Sequence, residues 1–386
     1  MKPLTIIASA LPEAPVSEAA APQGNGLTEM LAGWLPESVP FWGLTLMASG
    51  LAFGVIMAFV SVVAMFSTWL ERKVAGHIQI RLGPMRVGGW HGWAQAIADG
   101  VKLLIKEDII LASADRPLFK LAPALVLGTA ISTFVVLPFA PGVMIADVHL
   151  GIFFVIAISS VTTIGVIMAG WGSNNKWSVY GAMREAAQVA SYEIPLGLSL
   201  MPPVIYYGSF SLLEATQAQS GWFGMHWYIL DPSVMLVSVP SFVLFFVATL
   251  AETKRAPFDL PESESELVAG FHTEYSGIRF SFFFMEEYAA MFVMSAIATV
   301  LWFGGWNFLG LAALEGIPVL YTTACMLVFI VKSMLLVFVM MWVRWTLPRL
   351  RIDQVMILGY KYLTPLCLIV VFAASLLEYL RFVLSN

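Results

Sequence analysis

Long uncharged apolar runs alternate with short polar stretches along the chain. The runs fall at about 42–70, 121–146, 150–175, 186–208, 233–251, 288–314, 316–343 and 362–380. At about 1.5 Å of rise per residue, each is long enough as a helix to cross a hydrocarbon core of roughly 30 Å. The pattern predicts eight transmembrane helices, the fourth and seventh interrupted by Glu193 and Lys332. Between the first two runs, Trp90, Trp93, Ala94, Ile97, Val101 and Leu104 recur at helical spacing, with His91, Gln95, Asp99, Lys102 and Lys106 on the other face. This stretch, roughly seventeen residues long, is too polar to span. It predicts a helix lying in the membrane interface with its tryptophans at headgroup depth, or else packed on a protein partner. The fold class expected is an all-α polytopic membrane protein with about eight transmembrane helices plus one interfacial amphipathic helix. No internal repeat is visible, which weighs against a secondary transporter built from inverted repeats.

Residues 1–40 stand apart. They are rich in Ala and Pro, with Pro12, Pro15, Pro22, Pro36 and Pro40, and contain no apolar run long enough for a signal peptide. The expectation is a flexible N-terminal extension over 1–40 and a single helical bundle over 41–386.

Composition supports lipid as the main solvent. Of 386 residues, 59% are hydrophobic and only 12% charged, where soluble domains carry about a quarter charged residues. The net charge of −5 gives no sign of nucleic acid. Charge placement is more telling than charge total. Seventeen of the 20 Lys and Arg fall in four alternate connections: Arg72 to Lys120, Lys176 and Arg184, Lys254 to Arg279, and Arg344 to Lys361. The positive-inside rule then puts those loops in the cytoplasm and both termini outside. The two cysteines, Cys325 and Cys367, are too few for an iron–sulfur cluster. The five histidines are scattered singly, so no haem, metal or other redox centre is expected on this chain.

Three polar clusters carry the chemical signal. The first runs from Glu71, Arg72 and Lys73 through Gln79 and Arg81 to a helix break at Gly83-Pro84. The second, Arg184, Glu185, Gln188, Ser191, Tyr192 and Glu193, enters the fourth apolar run. It sets Glu193 some 13 Å along a helix from Arg184. A carboxylate at that depth costs about 2.5–3.5 kcal/mol on insertion scales, which marks a functional position or a structural hydrogen bond between helices. The third gathers Glu252, Asp259, Glu262, Glu264, Glu266, Glu274, Glu286 and Glu287 against Lys254, Arg255 and Arg279. Its apolar filling, Pro257, Phe258, Leu260 and Leu267 to Phe271, predicts a folded loop dipping toward the bundle rather than a solvated acidic tail. Crowded carboxylates there suit the holding and passing of protons. Lys332, alone in the seventh run, needs a buried partner, with Glu193 or Glu252 as the carboxylates at hand and a structural or proton-path role equally open.

These clusters resemble a known family. Glu71-Arg72-Lys73 through Gly88, Asp99 with Lys102 and Lys106, Arg184 to Pro195, Ala251 to Tyr275, and Arg344 to Lys361 are similar, in order, to motifs of the H-subunit family of NADH–quinone oxidoreductase, respiratory complex I. Its mitochondrial counterpart is NADH dehydrogenase chain 1. The resemblance runs from about 45 to 382, with mild departures at Thr253-Lys254, His272 and Tyr360. It implies a membrane subunit of a proton-translocating enzyme, without catalytic residues or redox centre of its own. Such a subunit forms a quinone-access chamber against the hydrophilic arm. Ubiquinone or another quinone would bind there with a neighbouring subunit, and FMN and iron–sulfur clusters would reside on the quinone-site and iron–sulfur partners. By matching positions, Arg72, Gln79, Arg81, Asp99, Lys102, Arg255 and Phe258 would line the quinone cavity. Glu193, Glu252, Asp259, Glu262, Glu264, Glu266 and Glu287, with Lys332, would belong to a proton path toward antiporter-like membrane subunits. The competing readings are an anchor subunit of a related membrane-bound hydrogenase or dehydrogenase, and a stand-alone proton transporter.

Overall fold

The computed structural model describes residues 40–220, 226–261, 264–314 and 316–385. The expected extension up to residue 39, and Glu262, lie outside them. All regular elements among the described residues are helical: α1 (Phe41–Ile78), α2 (Gln95–Ile105), α3 (Arg116–Thr133), α4 (Gly151–Gly172), α5 (Lys176–Tyr207), α6 (Leu212–Ala218), α7 (Met235–Glu252), α8 (Glu264–Leu267), α9 (Gly277–Trp302), α10 (Pro318–Thr346), α11 (Ile352–Ile357) and α12 (Thr364–Ser385). Seven helical segments are long and apolar enough to cross a membrane; α5 and α6, bent by 53°, make an eighth. The chain is a polytopic membrane protein.

Contacts divide it at Ala52: the first turns of α1 form one unit, and the helix from Phe53 onward belongs with the other elements in the second. Within that second unit α5 and α9 are central. The α5 helix packs on α4, α7 and α12, while α9 packs on α3 and α10. From Glu286 to Trp302 almost every residue of α9 is buried, and Phe134 stacks on Phe292 at 5.9 Å.

Several boundaries differ from the apolar runs for identifiable reasons. Helix α1 ends at Ile78, short of Gly83-Pro84, because Ile80 adopts a left-handed φ of 55°. The Arg81 N–H then reaches back to the Gly76 carbonyl at 2.8 Å, and the Ile80 N–H to His77 at 3.2 Å, the double bond of a Schellman stop. Pro138, Pro141 and Gly142 end the second run early, so α3 and a 3₁₀ turn Phe134–Val136 are followed by a tight reversal. Asn175 caps the Trp177 N–H at 2.9 Å and starts α5 ten residues before its apolar run, drawing Arg184, Glu185 and Gln188 into the helix. The left-handed pair Gly304-Gly305 follows the end of α9. The amphipathic segment is shorter than seventeen residues: a 3₁₀ turn at Trp90–Gly92, with His91 at φ 56°, precedes the 11-residue α2. Its apolar side chains, Ile97, Val101 and Leu104, are exposed.

Candidate functional site

Two consecutive residues after α7 meet two consecutive residues of α9. Arg255 Nε lies 2.9 Å from Glu287 and Lys254 Nζ 3.5 Å from Glu286. Lys254 has a left-handed backbone, φ 56°, which sends the neighbouring cations different ways. Lys254 also reaches Glu185 of α5 at 2.6 Å. Arg255 Nη1 donates to both oxygens of Glu71 at 3.1 Å, and Glu71 further accepts from Tyr288 Oη at 2.7 Å and Arg344 Nη1 at 2.6 Å. Arg255 is only 1% exposed. Burial works against its charge, but Glu287 and Glu71 outweigh it and raise its pKa well above that of a free guanidinium. The same loop carries His272, which burial, and then the Lys254 charge, push from 6.5 down to about 4.

A small cavity of about 40 Å³ adjoins the Lys254 end. Glu185, Glu252, Lys254 and Glu286 line it together with the hydroxyls of Thr133, Ser159, Thr162 and Thr163. It has room for a few water molecules among polar partners, and among the described residues Glu252 Oε2 is buried near it without a hydrogen-bond donor. Glu193 stands just beyond, one turn above the lining residue Val189, and accepts a hydrogen bond from Ser160 of α4.

On the Glu71 side two open cavities of about 450 and 400 Å³ share Thr68, Arg72, Phe284 and Tyr288. The first is polar, lined by Glu71, Arg81 and Arg344 beside the Gly83-Pro84 turn. The second is apolar, walled by Met57, Met65, Leu103, Leu104, Phe280 and Phe282. Asp99, paired with Arg72 and 3.7 Å from Lys102, sits on its rim. A cavity with one greasy mouth and one charged end suits an amphipathic small molecule with an apolar tail.

The structure brings some of the expected residues together and separates others. Arg72, Arg81, Asp99 and Lys102 line the open cavities. Arg255 lies behind that wall, touching Glu71 and Tyr288. Phe258 packs on Tyr192 at 5.2 Å in the core, and Gln79 is exposed. Glu193, Glu252 and Glu287 gather around the acid cluster. Asp259 is tied to Arg349 at 2.8 Å, and Glu266 to Arg184 at 2.5 Å on the surface. Glu264 begins α8. Lys332 meets neither Glu193 nor Glu252. Its ammonium donates to the carbonyls of Phe303, Gly305 and Asn307 at 2.8, 3.1 and 2.6 Å and faces the Trp227 ring at 4.2 Å. The turn at Gly304-Gly305 aims those carbonyls at it, replacing an anion. The sequence reading placed Glu71, Glu185, Lys254 and Glu286 in its polar clusters and Arg344 in a family motif without giving them a role in the site, and did not single out Tyr288. The spacing of Lys254-Arg255 against Glu286-Glu287 was the available signal.

A family model described as NADH dehydrogenase matches residues 51–375. The chain belongs to that family. The members it is similar to include those of Anaeromyxobacter dehalogenans, 44% identical over 90% of this chain and 85% of the relative, and of a Geobacillus species, 43% identical over 90% and 99%. A third, from Dehalococcoides mccartyi, is 46% identical over 81% and 82%. All three carry the name of the H-subunit of NADH-quinone oxidoreductase. Within this NADH dehydrogenase family member, the matched region spans both open cavities and the whole acid cluster.

Proposed function

We propose that the chain is the membrane subunit of a proton-translocating NADH–quinone oxidoreductase that admits the quinone and passes its reduction on as proton movement. One observation carries the reading: the polar open cavity, which adjoins the apolar one, is lined by Glu71, and Glu71 is joined through Arg255, Glu287, Glu286 and Lys254 to the small cavity at Glu185 and Glu252. A quinone tail would rest on the apolar wall beside α2. Its headgroup would pass Arg72 and Arg81 toward a partner subunit of the hydrophilic arm, where iron–sulfur clusters and FMN supply electrons. In the buried cluster six carboxylates (Glu71, Glu185, Glu193, Glu252, Glu286 and Glu287) face three cations (Lys254, Arg255 and Arg344). Low dielectric makes the charge state of any one member sensitive to the others, so a charge change at the quinone end alters proton occupancy at the Glu252 end. From there protons would pass toward antiporter-like membrane partners. The basic loops would face the cytoplasm of a bacterial inner membrane, with both chain ends outside.

The test is Glu252→Gln in assembled membranes. NADH-driven quinone reduction and proton pumping should fall by at least tenfold, while NADH oxidation by an artificial acceptor persists. Unchanged pumping in the E252Q complex would remove the acid cluster from the reaction.

A further inference from the structure

Glu193 has one hydrogen-bond partner among the described residues, the Ser160 hydroxyl. The same hydroxyl has a second acceptor, the Ile156 carbonyl one turn back on α4 at 3.0 Å. A hydroxyl carries one proton and two lone pairs. When Glu193 is ionised, Ser160 donates to it. When Glu193 is protonated, its O–H donates to Ser160 Oγ, and the serine proton turns to Ile156. The Ser160–Glu193 contact survives in both states, and the carboxyl need not move between them. The neighbouring Ser159 likewise back-bonds to Ile156 at 2.9 Å and lines the small cavity with Glu252. One helical edge thus stands between the two carboxylates.

We propose that Ser160 is a positioning residue that keeps Glu193 in register with the Glu252 cavity through both its charged and its neutral form. The inference rests on the acid cluster carrying protons. A hydroxyl that can either donate or accept suits a group that gains and loses a proton every turnover.

Threonine and valine have the same shape and differ in the hydroxyl, so Ser160→Thr and Ser160→Val isolate it. In the assembled complex S160V should slow quinone-linked NADH oxidation about tenfold, the worth of one hydrogen bond to a charged group, and displace its pH profile. Artificial-acceptor activity should stay at the wild-type level. S160T should restore both the rate and the profile. In infrared difference spectra, the protonated-carboxyl band that Glu193→Gln abolishes should move in S160V and stay in place in S160T. If S160T and S160V behave alike while E193Q still loses quinone-linked turnover, the serine inference falls and the acid path stands. If E193Q itself keeps full turnover and pumping, the acid-path reading falls and takes Ser160 with it.

Discussion

At the scale of single residues, the buried charges are mutually dependent. Arg255 is the hinge between Glu71 and Glu287, and removing one partner of a buried pair typically costs about 3–5 kcal/mol because the stranded charge remains. Arg255→Met is therefore expected to lower the thermal midpoint of the purified complex markedly. Arg255→Lys, which keeps the charge but loses the planar fork, should fall between it and wild type in the thermal midpoint of the purified complex. A midpoint for R255M equal to wild type would refute the pairing. His272 gives a pH-dependent counterpart. Its folded pKa of about 4 lies below the ordinary 6.5, so the unfolded chain takes up the proton first as pH falls. Its contribution is complete above pH 6.5 and is lost progressively down to about pH 4, in total about 3 kcal/mol. His272→Phe, compatible in shape with the surrounding Phe271, Phe280 and Phe284 rings, should lose less stability than wild type between pH 7 and pH 5. An identical loss would show that folding leaves the proton affinity of His272 unchanged.

At the scale of elements, close backbone approach shapes the polar cavity. A Cβ at Gly76 would stand 2.8 Å from the Gly83 nitrogen and 3.0 Å from the Arg81 carbonyl, so the turn carrying Arg81 lies directly against α1. Gly76→Ala must push that turn outward. It is expected to lower quinone-linked turnover several-fold with artificial-acceptor activity unchanged, the pattern of misplacement rather than lost chemistry. Equal loss of both activities would point instead to failed assembly. The turn after α9 works differently. Lys332 is held by three carbonyls about 24 Å along the helix axis from Glu287, and Lys332→Met would leave those carbonyls without their donor at roughly 1–3 kcal/mol for a buried group. The expected result is a lower thermal midpoint with unchanged turnover per assembled complex. Slowed turnover in a fully assembled K332M complex would tie Lys332 to proton movement after all.

At the scale of the whole molecule, the placement of charge predicts the orientation in the membrane. Cysteine introduced at Lys120 should react with a membrane-impermeant maleimide only when the cytoplasmic face is open. The native Cys325 and Cys367 are buried and give little background. Labelling from the outer face would invert the topology. The fold was legible because apolar run length and loop charge answer to the bilayer. Every long run found a helix, even though Pro138, Gly304-Gly305 and Asn175 moved its ends. The site was legible in part. Glu193 and Glu252 stand out as acids inside or at the edge of grease, whereas Glu71 and Glu185 appear only as members of polar clusters, with nothing local to assign them a role.

By itself the chain determined its class, its spans and the acids that lipid would not tolerate without cause, because burial in hydrocarbon is a matter of local composition. Only tertiary structure decided which charge meets which. Glu71 and Arg255 are 184 residues apart, Glu71 and Arg344 are 273, and no local pattern encodes a distance between helices. The same holds for Lys332, whose anion turned out to be three backbone carbonyls. Every residue has a carbonyl, so residue identity gives no hint of one, and only the turn at Gly304-Gly305 aims these inward.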